Sequence, residues 1–175
     1  HIDFAAKRVT ACTKDGVAIT QSYDRLILST GSVPICPSVP GMELENVQFV
    51  KEYSHAQAVV DKLARSDIRR VAVVGAGYIG VELAEAFVRN GRDTTLIDCA
   101  PTCLSSYYDE DFCARMADTL RQGGVKLAFG QTVRRIEGEG RVQRVVTDKG
   151  AIEADMVVFA IGFRANTKLG EGHLD

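Results

Sequence analysis

The chain has 175 residues, a formal net charge of −2 and a hydrophobic content of 46%. This length fits one large domain or one domain with an appendage, and the apolar content is sufficient for a buried core. The small net charge gives no general attraction to nucleic acid or to an anionic membrane, and no apolar run approaches the ~20 residues of a membrane span. We therefore expect no nucleic acid partner and no membrane association.

The N-terminal part predicts strands and a stiff connection. Residues 2–11 and 17–21 are predicted to form two strands joined by a turn at Lys14-Asp15-Gly16. Leu26-Ile27-Leu28 is predicted to be a buried strand. The prolines that follow, from Pro34 to Pro40, predict a stiff connection.

A helix is predicted from Ser54 to about Arg65. Ser54 and Gln57 have the spacing of a capping box, which marks the start of a helix. His55 then lies in the first turn at the surface, and we assign it no catalytic role.

The stretch from Arg70 to Ala84 has the pattern of a strand, a glycine-rich turn and a helix. The apolar, mostly β-branched residues 71–74 predict a short buried strand. A helix is predicted from Tyr78 to Asn90, because Gly91 has the position of a helix-ending glycine.

Gly75, Gly77 and Gly80 fit the dinucleotide-binding pattern G-x-G-x-x-G. Gly75 permits the tight turn after the strand, Gly77 lets a pyrophosphate approach the backbone, and Gly80 lets the helix lie close to the strand. The first N–H groups of the helix and its positive dipole end then face the phosphates.

A second predicted strand, Thr94–Asp98, ends in a carboxylate. Asp98 lies 18 residues after Gly80, about where the pattern places an acid for the ribose hydroxyls. The alternative is an ordinary β-α-β turn with Asp98 as a solvated strand end. No Lys or Arg occurs between Arg92 and Arg115 to bind a 2′-phosphate, so NAD(H) is favoured over NADP(H).

Residues 101–108 form a predicted loop at the carboxyl edge of the sheet, where ligands bind in open α/β folds. Tyr107 and Tyr108 lie in this loop with few apolar neighbours. Either one ring stacks on a cofactor or the rings pack on the surface, and position alone leaves both open.

The remaining sequence predicts one more helix and several strands. The helix covers 109–122, and its inward face is predicted to hold Phe112, Met116, Ala117 and Leu120. The predicted strands are a third parallel strand at 125–129, antiparallel strands near 133–136, 142–147 and 151–154, and a buried strand at 156–162. We therefore predict an α/β fold: a Rossmann-like parallel sheet with helices on both faces plus a small antiparallel β-meander.

The five cysteines indicate free thiols. None forms C-x-x-C, and the chain has three histidines, so we expect neither a zinc site nor a redox dithiol. An odd cysteine count indicates a reducing compartment, and we expect a cytoplasmic protein. The chain begins at His1 rather than Met and has no signal-peptide pattern, so we interpret it as a piece of a longer protein.

Four motifs occur in order along the chain. They are Tyr23-Asp24-x-Leu26-x-Leu28-Ser29-Thr30-Gly31-Ser32-x-Pro34, Gly75-Ala76-Gly77-Tyr78-Ile79-Gly80-Val81-Glu82-Leu83-Ala84-Glu85, Leu96-Ile97-Asp98 with Tyr107-Tyr108-Asp109, and Ala160-Ile161-Gly162-Phe163-Arg164-x-Asn166. Together they resemble the NADH oxidase, NADH peroxidase and CoA-disulfide reductase family of FAD-dependent flavoenzymes. The tyrosine pair favours the oxidase/peroxidase branch.

This resemblance implies an oxidoreductase in which NADH gives hydride to flavin, and electrons pass on to oxygen, peroxide or a disulfide. It implies NAD(H) as the cofactor of this chain, and FAD in a full-length, homo-oligomeric parent. Near FAD, it implies roles for Ser29, Thr30, Gly31, Ser32 and Lys51.

The resemblance also implies NAD-binding residues. Tyr78 and Ile79 belong to the turn that holds NAD, and Tyr78 is similar to an aromatic gate that covers the flavin until nicotinamide displaces it. Glu82 resembles a helix carboxylate near the nicotinamide, although a solvated helix face is the alternative. The other implied contacts are Asp98 with the adenosine ribose, Tyr107 along NAD, and Gly162 with the nicotinamide end.

The family's flavin-binding pattern and redox-active cysteine are absent, and we assign no catalytic residue and no metal site to this chain. We expect a remnant of the FAD-binding domain at 1–35, a connecting loop and helix at 36–68, an NAD-binding domain at 69–163, and the start of the return to the FAD domain at 164–175. The fragment alone is predicted to be inactive. The alternatives are another two-dinucleotide-fold reductase, of the ferredoxin or nitrite reductase type, and a non-catalytic NAD(H)-sensing module.

Overall fold

The structure is a computed structural model that describes residues 1–173. The chain divides into two compact units. The smaller unit consists of His1–Val33 and the residues from Phe163 onward, and the larger unit is Pro34–Gly162. The glycine-rich turn lies in the larger unit.

The smaller unit contains a three-stranded antiparallel sheet and takes part in a two-stranded sheet. The strands β1 (Ile2–Asp3), β2 (Arg8–Cys12) and β3 (Ala18–Ser22) pair in that order. The hairpin between β2 and β3 confirms the turn predicted at 14–16. The strand β4 (Ser32–Pro34) pairs with β13 (Phe163–Ala165), and a short 3-10 helix follows at Lys168–Gly170.

Two strand predictions in this unit are wrong. The strand expected over 2–11 is interrupted by a turn, in which the N–H of Ala6 donates to the Asp3 carboxylate and Lys7 has a φ of +50°. Residues 26–28 form no strand, and the Ile27 side chain is 89% exposed. An apolar run becomes a strand only when neighbours supply ladder hydrogen bonds, and nothing among residues 1–173 pairs with this one.

The larger unit is built on a five-stranded parallel sheet. Its strands, in chain order, are β5 (Val47–Phe49), β6 (Arg70–Val74), β7 (Asp93–Asp98), β8 (Lys126–Phe129) and β12 (Met156–Phe159). Their spatial order is β5-β12-β6-β7-β8. Four of them confirm predicted strands, whereas β5 was not predicted, because its three residues give too short a pattern to recognise.

Three helices pack on one face of this sheet: α1 (Tyr53–Leu63), α2 (Tyr78–Arg89) and α3 (Glu110–Gln122). The bounds of α2 and α3 confirm the predictions to within one residue. The inward face of α3 differs, because Phe112 is 61% exposed and Cys113 is buried instead. Cys113, Ala117 and Leu120 recur at helical spacing, and Phe112 is one residue out of phase with that stripe.

The predicted capping box at Ser54 is also wrong. The N-cap of α1 is Glu52, and His55 closes the cap by accepting a hydrogen bond from the N–H of Glu52 on Nδ1. The helix therefore begins one residue earlier than expected.

The meander covers the other face of the parallel sheet. Its strands β9 (Val133–Glu137), β10 (Arg144–Thr147) and β11 (Gly150–Glu153) confirm the three predicted antiparallel strands and pair in the order β11-β10-β9. Side chains alternate along β6, so that Val71 and Val73 face the helices while Ala72 and Val74 face the meander. The predicted parallel sheet and meander are confirmed, and the meander occupies the face where we also expected a helix.

Among residues 1–173, no helix is long and apolar enough to cross a bilayer.

Candidate dinucleotide-binding site

The carboxyl ends of β6, β7 and β12 lie side by side at one edge of the sheet. Val74 pairs with Ile97 of β7 and with Phe159 of β12. The topology therefore brings the predicted residues Gly75, Asp98 and Gly162 to the same edge, which is where ligands bind in such sheets.

Two of the three glycines are required by close backbone contacts. Gly75 has a φ of +105°, and a Cβ atom there would lie 2.5 Å from the carbonyl oxygen of Ala160. A Cβ atom on Gly80 would lie 1.7 Å from the carbonyl oxygen of Gly75. Neither position accepts a side chain unless the backbone moves. Gly75 lets the turn pass close to the segment after β12, and Gly80 lets the start of α2 lie against the turn.

Gly77 has a different environment. Its backbone, with φ −76° and ψ −171°, is open to any residue, and a Cβ atom would meet only the Tyr107 ring, at 3.9 Å. Glycine here keeps a space free rather than avoiding a contact within the fold. A phosphate group can therefore reach the backbone at this point.

No side chain caps α2, because its N-cap is Gly77. The first residues of the helix are Tyr78, Ile79 and Gly80, and the first N–H groups of a helix have no partner within it. These groups and the helix dipole favour an anion in front of Gly77.

The carboxylate of Asp98 braces the turn. Oδ2 accepts a hydrogen bond from the N–H of Ala76 at 2.5 Å, and Oδ1 accepts one from Ala100 at 2.7 Å. The residue is half-buried, and an ionised carboxylate has about four acceptor positions. Room remains to accept ribose hydroxyls, and that role stays a prediction.

Three tyrosines close over the turn. Tyr107 packs on Tyr78 with 4.3 Å between ring centroids, and the hydroxyls of Tyr78 and Tyr108 lie 2.9 Å apart. Hydrogen bonding to Tyr108 raises the pKa of Tyr78 above its ordinary value. Tyr107 thus packs on another tyrosine, and its contact with a cofactor stays a prediction.

The loop that carries Tyr107 and Tyr108 is attached to the turn at Leu104. Its N–H donates to the carbonyl of Ala76 at 2.8 Å, its side chain is buried, and its φ is +56°. The sequence carries no sign of this attachment, because leucine rarely adopts a left-handed backbone.

Glu82 lies one turn after Tyr78 on α2 and is exposed. Both residues line a cleft of about 630 Å³ between α2 and α3. Glu85 pairs with Arg89 at 2.7 Å, as the i,i+4 spacing predicts. Glu82 is therefore available to a ligand in this cleft.

The residues predicted near FAD lie in different parts of the chain. Ser29, Thr30 and Gly31 line a groove of about 1110 Å³ in the smaller unit, and Ser32 begins β4. The Thr30 hydroxyl donates to the carbonyl of Asn166. Lys51 belongs to the larger unit, between β5 and α1.

All five cysteines are free thiols. Cys103 and Cys113 are buried among the apolar residues of the helix-covered core, and burial raises the pKa of Cys103. A buried thiol of raised pKa is a poor nucleophile, so Cys103 is not a candidate nucleophile. Both buried cysteines pack in this core.

A sequence model of the family described as pyridine nucleotide-disulphide oxidoreductase matches residues 1–174. The chain belongs to this family. It is 50% identical over 185 residues to an NADH oxidase of Streptococcus pyogenes, covering 99% of this chain and 40% of that protein. The family predicted from the motifs is confirmed.

Solved structures show the same fold. A water-forming NADH oxidase from Lactobacillus brevis, bound to NADH, is 39% identical with a TM-score of 0.92, covering 99% of this chain and 38% of that one. An engineered variant of that enzyme, a water-forming NADPH oxidase bound to NADPH, also has a TM-score of 0.92, at 38% identity and the same coverage. The chain thus spans about 40% of the length of the curated relatives it matches.

Proposed function

We propose that this chain is the NAD(H)-binding region of a FAD-dependent, NADH oxidase-type flavoenzyme, in which NADH delivers hydride to flavin. The open backbone at Gly77, in front of the uncapped N-terminus of α2, carries the proposal. In that position the pyrophosphate lies against Gly77 and α2, and the adenosine ribose reaches Asp98. Tyr107 then lies along the bound dinucleotide.

The nicotinamide end belongs at Tyr78, Glu82 and Gly162. Tyr78 and Glu82 line the same cleft. Gly162 follows β12, which is the neighbour of β6, the strand that leads into the glycine-rich turn. When bound, flavin supplies the hydride acceptor, and the protein's part is to align the two rings. This chain's contribution is to hold the dinucleotide so that its nicotinamide is presented in one orientation.

The choice of NAD(H) is supported by the engineered NADPH oxidase. Its substitutions replace a glycine by alanine and, 18 residues later, an aspartate by alanine and the next residue by arginine. Gly80 and Asp98 have the same separation, and Cys99 follows Asp98. This chain therefore has the acid and lacks the arginine, which favours NAD(H).

A flavin contact at Ser29, Thr30, Gly31 and Ser32, with Lys51, is part of the same proposal. The groove beside residues 29–31 supports it. On this assignment residues 1–35 and 164–175 belong with a FAD-binding domain, 36–68 connect, and 69–163 bind NAD(H).

The names of the relatives favour oxygen as the electron acceptor of the whole protein, with peroxide as the alternative. The five free thiols support a cytoplasmic location. A homo-oligomeric parent is proposed from the family resemblance.

Calorimetric titration of the purified chain with NADH tests the central proposal. We expect one saturable site, which is lost when Gly77 is replaced by valine. Absence of NADH binding by a folded chain, shown to be folded by circular dichroism, contradicts the proposal and favours a role outside nucleotide binding.

A further inference from the structure

We propose that Lys149 is a further specificity-determining residue, whose ammonium group attracts the 2′-phosphate of NADPH next to the adenosine ribose. It thereby reduces the preference for NADH that the Asp98 carboxylate creates. The inference rests on the proposed function, because that function places the adenosine ribose at Asp98. The sequence between Arg92 and Arg115 holds no basic residue, and the meander supplies Lys149 instead.

Lys149 lies in the turn between β10 and β11, and a buried hydroxyl fixes this turn. Thr147 is 5% exposed, and its Oγ1 accepts a hydrogen bond from the N–H of Lys149 at 3.1 Å. The same oxygen lies 2.9 Å from Oε1 of Gln131 and 3.0 Å from the carbonyl oxygen of Gly150, so it can donate its proton to either. The backbone of Lys149 is therefore held in place.

This turn is attached to the segment that follows β8. The N–H of Thr132 donates to Oδ1 of Asp148 at 2.9 Å, and the N–H of Asp148 donates to the carbonyl of Thr132 at 3.0 Å. Because β8 is parallel to β7, the segment lies at the carboxyl edge of the sheet, together with Asp98. The meander thus brings a lysine to the edge that holds the candidate site.

The segment after β8 is hydrogen-bonded to the residues around Asp98. The N–H of Gly130 donates to the carbonyl of Ala100 at 2.8 Å, and the N–H of Gln131 donates to that of Asp98 at 2.9 Å. Nζ of Lys149 lies 3.3 Å from the place where a Cβ atom of Gly130 would be. Since a Cβ atom is ~2.5 Å from its own backbone nitrogen, Nζ lies within about 9 Å of the Ala100 oxygen.

Among residues 1–173, the ammonium group of Lys149 has no hydrogen bond or ion pair that competes for it. The neighbouring Asp148 carboxylate is engaged by the N–H of Thr132 and by the Arg134 guanidinium, which is 3.7 Å away. Lys149 is exposed, and a lysine side chain has a flexible four-carbon stem. It can therefore turn toward a phosphate on the ribose without breaking a polar contact.

The two charges at this edge act on NADPH in opposite directions. A phosphate on the ribose 2′-oxygen takes the place of the hydroxyl that we assign to Asp98, so it is repelled by Asp98 and attracted by Lys149. Asp98 contacts that position directly and dominates, so NADH stays the preferred cofactor. Lys149 leaves NADH binding unchanged, because NADH has no phosphate there.

The test compares Lys149→Gln with the wild type in calorimetric titrations with NADH and NADPH at low salt. We expect the NADPH dissociation constant to rise by about two- to fivefold, the range for one exposed ion pair, and the NADH constant to stay unchanged. Added salt is expected to remove the difference, because it screens exposed charges. The same titrations in the Asp98→Asn background measure the effect where NADPH is expected to bind more tightly.

Two further variants serve as controls. Lys149→Arg keeps the charge and is expected to retain the wild-type affinity for NADPH. Lys126→Gln removes a lysine charge at the first residue of β8, at the opposite edge of the sheet, where Lys126 pairs with Asp93 at 2.7 Å. It is expected to change neither dissociation constant.

An NADPH dissociation constant that is the same in Lys149→Gln and the wild type overturns this role of Lys149 and leaves the proposed function intact. An equal loss of affinity for NADH and NADPH also overturns it, because the lysine then contacts a part common to both. So does a loss that Lys126→Gln reproduces. If the folded wild type binds no NADH, the proposed function fails and the role of Lys149 fails with it.

Discussion

The Asp98 carboxylate, at the end of β7, accepts a hydrogen bond from the backbone N–H of Ala76, with 2.5 Å between Oδ2 and N. One side chain thus connects the second strand of the β-α-β unit to its glycine-rich turn. The same carboxylate carries the negative charge that we propose selects the cofactor. Substitutions of Asp98 therefore have to separate these two roles.

We predict that the chain binds NADH roughly tenfold or more tightly than NADPH. Like charges ~4 Å apart repel by about 4 kcal/mol at an effective dielectric constant near 20, and solvent exposure reduces this. Asp98→Asn is expected to narrow the ratio of the two dissociation constants while keeping one oxygen to accept from Ala76. Asp98→Ala narrows it too but leaves two N–H groups without that acceptor, at a cost of about 1–3 kcal/mol.

Calorimetry with NADH and NADPH on the wild type, Asp98→Asn and Asp98→Ala measures the ratio of dissociation constants. Thermal unfolding of the same three proteins measures the loss of stability at the turn. Equal affinities of the wild type for NADH and NADPH would contradict the assignment of Asp98.

We predict that Gly77→Val abolishes NADH binding and leaves the fold largely intact. The backbone at Gly77 suits any residue, and the added side chain points into the space assigned to the pyrophosphate. Gly75→Ala is the contrasting variant, because its Cβ atom meets the backbone of Ala160 and its φ is positive. It is expected to lower the thermal midpoint as well as the affinity.

Circular dichroism and calorimetry on the same samples give both quantities. A folded Gly77→Val protein that binds NADH normally would mean that the pyrophosphate lies elsewhere.

We predict that the 175-residue chain, purified alone, retains no FAD and has no NADH oxidase or peroxidase turnover. We propose that the G-x-G-x-x-G turn at Gly75–Gly80 binds NAD and that residues 29–32 supply one edge of a flavin site. Without flavin, NADH has no hydride acceptor held at ~3–3.5 Å, and the advantage of positioning is lost. The cysteines do not replace it, since a thiol does not accept hydride from nicotinamide.

An absorbance scan for flavin is the first measurement, followed by NADH consumption in air and with peroxide. A yellow protein with an enzyme-like rate would refute the interpretation as an NAD(H)-binding region that lacks its flavin.

We predict that Asp155→Asn lowers the free energy of unfolding at pH 7 by about 1–3 kcal/mol, as expected for hydrogen bonds to a charged group. Asp155 accepts from the Arg70 guanidinium at 2.7 Å and from the N–H groups of Arg69 and Arg70. Burial by itself would raise its pKa, but these hydrogen bonds outweigh burial and lower it. Its contribution is therefore present at neutral pH and is lost as the pH falls below about 4, through the lowered folded pKa.

Denaturant unfolding between pH 7 and pH 2 measures this effect. The difference in the free energy of unfolding between the wild type and Asp155→Asn is expected to disappear toward low pH. Asp118→Asn is the control, because Asp118 pairs with Arg121 on the exposed surface of α3 and should change stability by less than about 0.5 kcal/mol. A difference in the free energy of unfolding that stays constant with pH would show that the Asp155 charge does not contribute to stability.

Local constraints explain which features are predictable from the sequence. The path from β6 through Gly75 and Gly80 into α2 depends on φ angles and on contacts within a few residues, so glycine spacing is sufficient to recognise it. The position of Asp98 follows from the length of one β-α-β unit. The alternation along the meander likewise indicates its three strands.

Tertiary contacts decided the rest. Residues 26–28 have a strand-like composition, but composition supplies no hydrogen-bonding neighbour, and Ile27 is exposed. The left-handed conformation of Leu104 and its bond to Ala76 depend on residues 28 positions apart in the chain. The sequence by itself determined the glycine-rich turn and the acid at the end of β7. Only the tertiary structure placed the meander on the second face and joined the hydroxyls of Tyr78 and Tyr108, because both depend on packing between distant segments.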